Sequence, residues 1–296
     1  MKIFYSSVFL LLILFGCSDI PDTPYIKSIK DFHSKRIEKL KQPNSWLSLV
    51  GLYWLKEGEN NFGTDKSNDV VFPKGKAPEF IGKFILKDSI VTVNINDNVE
   101  VTYNDTLIKS LQLKNDLSEE PTILKLGSLS WYVIKRGNRY GIRLKDSNSK
   151  LLEEFEDIDM FDIDPKWKVK AEFIEYEQPK EVEIPTAIGT VEKETVYGKL
   201  KFSINKEEFT FEPLGDRDGL FLVFGDMTNG EETYGAGRFL SVDKPDSTGK
   251  IFIDFNKTYN PPCAFTKYAT CPIPTKENYL KTKIIAGEKN FHSAYH

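Results

Sequence analysis

FGDMTNGEETYGAGRFL (224–240), followed after nine residues by KIFIDFNKTYNPPCAFTKYATCPIP (250–274), decides how this chain is read. These segments set polar groups among aromatics, prolines and glycines, unlike an ordinary surface loop. After Ile251, Phe252 and Ile253, polar and apolar residues alternate, and a strand reading puts Asp254 and Asn256 on one face. Pro261-Pro262 then ends regular structure, because proline offers no donor to a ladder. Arg238 follows Gly235-Ala236-Gly237, small residues that let a backbone or ligand come close. Its planar donor fork matches a carboxylate. Two readings stay open. Asp254 and Asn256 receive Arg238 in a structural pair between strands, or Tyr234, Arg238, Asp254, Asn256, Tyr259 and Asn260 line a site for a small polar ligand.

Residues 169–176, 182–184, 195–204, 208–212 and 219–224 are β-rich runs separated by Gly, Pro, Asn and Asp, the pattern of antiparallel strands and turns. Residues 45–150 repeat that pattern in eight short runs, which suggests a sandwich. The stretch 147–164 is acidic but lacks an Asp-x-Asp-x-Asp-Gly loop, so it reads as a solvated connector. Near the start, Ile29, His33, Ile37 and Leu40 recur at helical spacing, with His33 as a packed residue on the apolar seam. The expected architecture is all-β. A helix over 25–44 precedes a sandwich over 45–150, and a second β-rich domain, sheet or barrel, over 165–290 carries the candidate site. No Rossmann or P-loop glycine pattern occurs.

The 296 residues are 40% hydrophobic and 28% charged, values of a folded chain. A net charge of −4 without a long Lys/Arg cluster argues against nucleic acid as a partner. Lys2, the apolar run 3–15 and Leu14-Phe15-Gly16-Cys17 resemble a bacterial lipobox. The apolar run is shorter than the roughly 20 residues a membrane span needs. We expect residues 1–16 to be a signal peptide, Cys17 the lipidated residue and 17–24 a tether, giving an exported protein anchored to the cell envelope. Ser18 after the cysteine, in place of a retention aspartate, leaves outer-membrane anchoring open.

Cys263 and Cys271 are then the remaining pair, in a compartment that favours disulfides. Closing this loop stabilises by about 2.6 kcal/mol in the chain-entropy model. Zinc needs two further ligands, for which only His292 and His296 offer a pair, so the expectation is a disulfide, with free packed thiols as the remaining alternative, and with no metal and no cofactor. No histidine suits a Ser-His-Asp triad, and no Gly-x-Ser-x-Gly elbow appears. Asp226, Asp254, Glu231, Glu232 and Glu277 are the carboxylates a hydrolase could pair.

Phe62-Gly63 followed by Ser67-Asn68-Asp69-Val70-Val71, with Val101-Thr102-Tyr103-Asn104, resembles the opening and the asparagine-bearing strand of a forkhead-associated domain. Thr64 stands where that family's phosphate-binding arginine would follow the glycine. Ala77-Pro78-Glu79-Phe80 replaces its serine and histidine region, so the resemblance implies a scaffold without phosphothreonine binding. WLSLVGLYWLKEGENNFG (46–63), TYGAGRFL (233–240), IDFNKTYNPPCAFTKYATCPIP (253–274) and IIAGEK (284–289) are similar to the bacterial domain-of-unknown-function family 1684. That resemblance implies no reaction. The expected role is binding of a small polar ligand or envelope component by the second half, with a carboxylate hydrolase or a ligand-free scaffold as alternatives. Cys17→Ser should abolish acyl labelling and leave an unprocessed precursor. Equal processing and membrane retention of that variant would remove the lipoprotein reading.

Overall fold

The computed structural model describes residues 23–216 and 219–292. The expected signal peptide, Cys17, the tether up to residue 22 and His296 lie outside the described residues. The helix Pro24–Leu40 begins with Thr23, whose hydroxyl accepts the Ile26 N–H, and with a proline where a missing donor costs nothing. It buries Ile26, Ile29 and Leu40, and stops before Pro43. His33 is packed as expected, with Nε2 3.3 Å from the Ile158 carbonyl oxygen.

Two sheets built from residues 49–146 pack face to face. One has six strands, in the order Leu49–Trp54, Arg139–Asp146, Leu129–Arg136, Leu124–Leu126, Thr102–Tyr103 and Thr106–Leu107. The other has five, in the order Val70–Val71, Gly58–Gly63, Gly82–Lys87, Ile90–Ile95 and Ser110–Leu113. Between them lies an aromatic core in which Phe62 stacks on Phe84 at 4.2 Å and Trp131 meets Phe62 and Phe72 edge-on. Alternation sends Trp131, Val133, Tyr140, Ile142 and Leu144 into that core. Tyr132, Arg136, Arg143 and Lys145 therefore share the opposite face of the six-stranded sheet.

The second half is also antiparallel β. The long strands Lys168–Pro185 and Val191–Ile204 form a hairpin flanked by Glu207–Phe211 and Lys250–Asp254. The sequence splits the first of these into two runs, because Gln178-Pro179 looks like a turn. In the fold this is a bulge between Glu175 and Lys180, a place where proline's missing donor is tolerated. A three-stranded sheet of Leu214–Asp216, Gly219–Phe224 and Arg238–Val242 packs across it. Phe202, Phe211, Phe224 and Phe255 fill the space between, with rings 5.1–6.4 Å apart.

Three connections tie these parts together. The acidic stretch is not simply a solvated connector. Ser149 caps a short helix, Lys150–Glu154, and Phe155 and Ile158 bury themselves with Leu40, Leu47 and Phe265 while the acids between them face outward. At the hairpin tip, Ala187 N–H donates to the Cys271 carbonyl at 2.9 Å and Ile273 N–H to that of Pro185 at 2.7 Å. The segment 261–274 is thereby held over the outer face of the six-stranded sheet, where Thr266 Oγ1 donates to the Leu49 carbonyl at 3.2 Å.

Candidate functional site

The fold separates the six residues read as one lining into three structural joints. Arg238 does not meet Asp254. Its guanidinium lies 2.7 Å from Asp226, with both side chains 0% exposed, and donates to the carbonyls of Ala286 and Ile284 at 2.6 and 2.9 Å. Burial pushes Arg238 below its ordinary pKa, and the Asp226 carboxylate opposes that shift. Gly237 permits the approach. Its φ is +94°, and a Cβ there would stand 2.7 Å from the Phe224 carbonyl oxygen and 2.5 Å from Pro274 Cγ.

Asp254 and Asn256 are one cluster, as the alternation implied, but Asn256 sits in a 3-10 turn, Phe255–Lys257, rather than on the strand. The hydroxyl of Tyr25 donates to Asp254 at 2.8 Å, and the Asn256 amide donates to Tyr25 Oη at 2.9 Å. The pair therefore anchors the N-terminal helix. Burial, then the Asp254 carboxylate, raises the Tyr25 pKa. Tyr259 and Asn260 form the third joint. Arg36 lies 4.4 Å over the Tyr259 ring, pairs with buried Glu288 and donates to the Asn260 carbonyl at 2.9 Å. Tyr234 stands apart, donating to the Cys263 carbonyl at 3.1 Å.

Four of the five carboxylates considered for hydrolysis, all but Glu277, are likewise engaged. Asp226 holds Arg238, Asp254 holds Tyr25, and Glu231 and Glu232 meet Lys283. Among the described residues, no three of His, Cys, Asp and Glu converge as a metal site. The expected disulfide is corrected. Cys263 and Cys271 are free buried thiols, joined instead by hydrogen bonds, with the Cys263 N–H donating to Cys271 Sγ at 3.1 Å. The shared hydrogen bond lowers the Cys263 pKa, Arg143 helping, and raises that of Cys271, burial adding to it.

A different constellation lies where segment 261–274 covers the sandwich. A cleft of about 690 Å³ is walled by Trp46, Phe239, Pro262 and Ala269, with Arg136 and Thr270 among its polar lining. Thr270 Oγ1 accepts from Arg136 Nε at 3.1 Å and from Arg143 Nη2 at 3.2 Å. Arg136 is also paired with Asp116 at 2.7 Å and with Glu192 at 3.7 Å. Arg143 is not. It is 3% exposed, no carboxylate among the described residues lies within ion-pair distance, and its Nε has no hydrogen-bond partner. Its guanidinium stacks 5.3 Å from the Trp46 ring and 6.0 Å from that of Tyr132. Lys145, next along the same face, lies 5.8 and 5.9 Å from those rings. Burial, then the Arg143 charge, pushes Lys145 down to about 8. The sequence offered little to find this site: Arg143 and Lys145 alternate with Ile142 and Leu144, the ordinary pattern of a strand with one solvated face. A larger groove of about 1050 Å³ near Trp167 is open, and its Lys166, Lys201 and Lys283 are each already paired with an acid.

The sequence model of the family described as "Protein of unknown function (DUF1684)" matches residues 153–289. The match is confined to that stretch. It begins after the sandwich, so WLSLVGLYWLKEGENNFG (46–63) lies outside the match, although Trp46 walls the cleft. An uncharacterized protein of Haloarcula marismortui, solved by NMR, is 28% identical, covering 46% of this chain and 78% of its own, with a TM-score of 0.39. Two FHA-domain structures, one from work on phosphothreonine-dependent interactions, are each 13% identical at a TM-score of 0.23. They cover 32% of this chain and 92% and 97% of their own. No curated protein matches the chain.

Two outcomes follow for this protein. Breaking the buried pair with Arg238→Gln or Asp226→Asn should each cost about 3–5 kcal/mol in urea unfolding, because one partner's charge or hydrogen bonding is left uncompensated. A loss below about 1 kcal/mol would contradict the sealed geometry. The second concerns pH. The fold holds Lys145 near 8 against an ordinary 10.5, so between those values the unfolded chain binds more protons. Stability contributed by this group should therefore rise with pH across that window, and Lys145→Met should flatten the rise. Parallel wild-type and Lys145→Met curves from pH 8 to 10.5 would contradict the depressed value.

Proposed function

We propose that this protein is a lipid-anchored envelope protein that binds a small molecule in the cleft between its sandwich and the 261–274 segment. The observation that carries this reading is the composition of the cleft. At about 690 Å³ it has the size of a small-molecule site, and it sets Trp46, Phe239 and Pro262 beside a charged lining that includes Lys135, Arg136, Asp116, Glu192 and Glu194. The reading moves the ligand away from Arg238, Asp254 and Asn256, whose partners are all internal. It retains the expected binding role and assigns that role to residues from both halves of the chain. The lipobox supports the envelope anchor, which places such a site at a membrane surface.

A thermal-shift screen of metabolites and glycans tests the cleft, since a ligand that binds only the folded state raises the melting temperature. We expect at least one compound to stabilise the wild-type protein and to lose that effect in Trp46→Ala. The Lys250→Ala variant, altered on an exposed strand end, should keep it. A stabilising compound insensitive to Trp46→Ala would place binding elsewhere.

A further inference from the structure

We infer that the cleft takes a small organic oxyanion, a carboxylate or phosphate group on an apolar body, with the oxyanion seated between Arg136 and Arg143. This rests on the cleft reading above and names the chemistry of its ligand. The first support is charge. Arg143 is a buried cation with no carboxylate partner, and the partly buried ammonium of Lys145 follows it on the same strand face. Cations withdrawn from water are expected to be paired, and this side of the joint supplies Arg143 with only a threonine hydroxyl, a tyrosine hydroxyl at 3.5 Å and two aromatic rings. The neighbouring thiols of Cys263 and Cys271 are internal groups whose ionisation Arg143 favours, and they share a hydrogen bond with each other.

The second support is geometry. One oxygen, Thr270 Oγ1, already lies within hydrogen-bond distance of both guanidinium groups. An oxygen of a ligand that displaced the Thr270 hydroxyl would accept the same two donors and bring the negative charge that the hydroxyl lacks. Charge-assisted bonds of this kind are roughly twice as strong as neutral ones. Thr270 and Arg136 line the cleft while buried Arg143 lies behind Thr270, so a ligand reaches Arg143 by turning the Thr270 side chain aside. The third support is the lining. Trp46, Phe239, Pro262 and Ala269 surround this point with apolar surface, which suits a ligand body carrying one anionic head. Arg136 keeps Asp116 and Glu192 as its own counter-charges, so the added negative charge is matched to Arg143.

The experiment uses inorganic phosphate, benzoate and phenyl phosphate as probes, titrated into the full-length protein at constant ionic strength against chloride. Phenyl phosphate should raise the melting temperature and bind at least roughly tenfold more tightly than inorganic phosphate, because only it fills the apolar lining. Arg143→Met should lose at least roughly tenfold in phenyl phosphate affinity. It should also melt at or above the wild type in oxyanion-free buffer, since it replaces an uncompensated buried charge with an apolar side chain. A purely structural arginine would behave oppositely, with a lower melting temperature and unchanged response to the probes. Thr270→Ala should keep or strengthen binding, because it removes the competing hydroxyl. If Arg143→Met fails to fold, Arg136→Gln reads the other donor and should weaken binding. No stabilisation by any of the three probes overturns the proposal. So does a screen ligand that is uncharged, is lost in Trp46→Ala and is indifferent to Arg143→Met and Arg136→Gln, a result that would leave the cleft itself intact.

Discussion

The contact between Arg238 and Asp226 sets the rest of the second half. A guanidinium and a carboxylate withdrawn from water have to satisfy each other and their remaining hydrogen-bonding capacity locally. Arg238 holds the carbonyls of Ile284 and Ala286, its Nε alone lacking a partner, and Asp226 accepts from Ile284 N–H and from Thr228. The C-terminal run is thereby fixed against the strand Arg238–Val242. Gly287, with φ +75° and no room for a Cβ beside the Thr258 carbonyl oxygen, turns that run so that Glu288 is buried. Glu288 then accepts the Asn260 N–H at 2.7 Å and pairs with Arg36 of the N-terminal helix. Pro261 and Pro262 follow directly, so the position of the segment that roofs the cleft descends from one ion pair.

This chain of contacts explains why so polar a stretch is largely buried. Asp226, Arg238, Asp254, Asn256 and Asn260 are distributed over joints between distant parts of the sequence, each with a named partner. Such networks rigidify when complete and are costly when broken. They hold the helix, the strand Arg238–Val242 and the C-terminal run as a single frame. Arg143 departs from the rule. Its burial is not matched by an acid, and that contrast with Arg238, rather than burial itself, marks the cleft as the place where the protein has unused binding capacity.

Much of the fold was legible from local pattern. Alternation in Lys199-Leu200-Lys201-Phe202 and in the runs of the first half identified strands, and the spacing of Ile29, His33 and Leu40 identified the helix. The density of polar and special residues at 224–274, read from the sequence as a site, belongs to a place where many elements meet. Pairing was not legible. Asp226 and Asp254 are both plausible acids for Arg238, and only the turn built by Thr228, Asn229 and Thr233 brings Asp226 round to it. Nor could alternation reveal that the Arg143 face is covered, because a strand states which residues share a face but not what lies over it. The thiols were misjudged for a related reason: spacing and compartment allow a disulfide, while the bond itself depends on how two side chains meet.

The central claim is that a ligand's oxyanion occupies the point where Arg136 and Arg143 converge. A crystal structure of the protein with phenyl phosphate tests it most directly. The account predicts phosphate density within hydrogen-bond distance of Arg136 Nε and Arg143 Nη2, the Thr270 hydroxyl turned away, and the phenyl ring against Trp46 or Phe239. Phenyl phosphate bound elsewhere, or a Thr270 hydroxyl still shared by both arginines at saturating concentration, would contradict it.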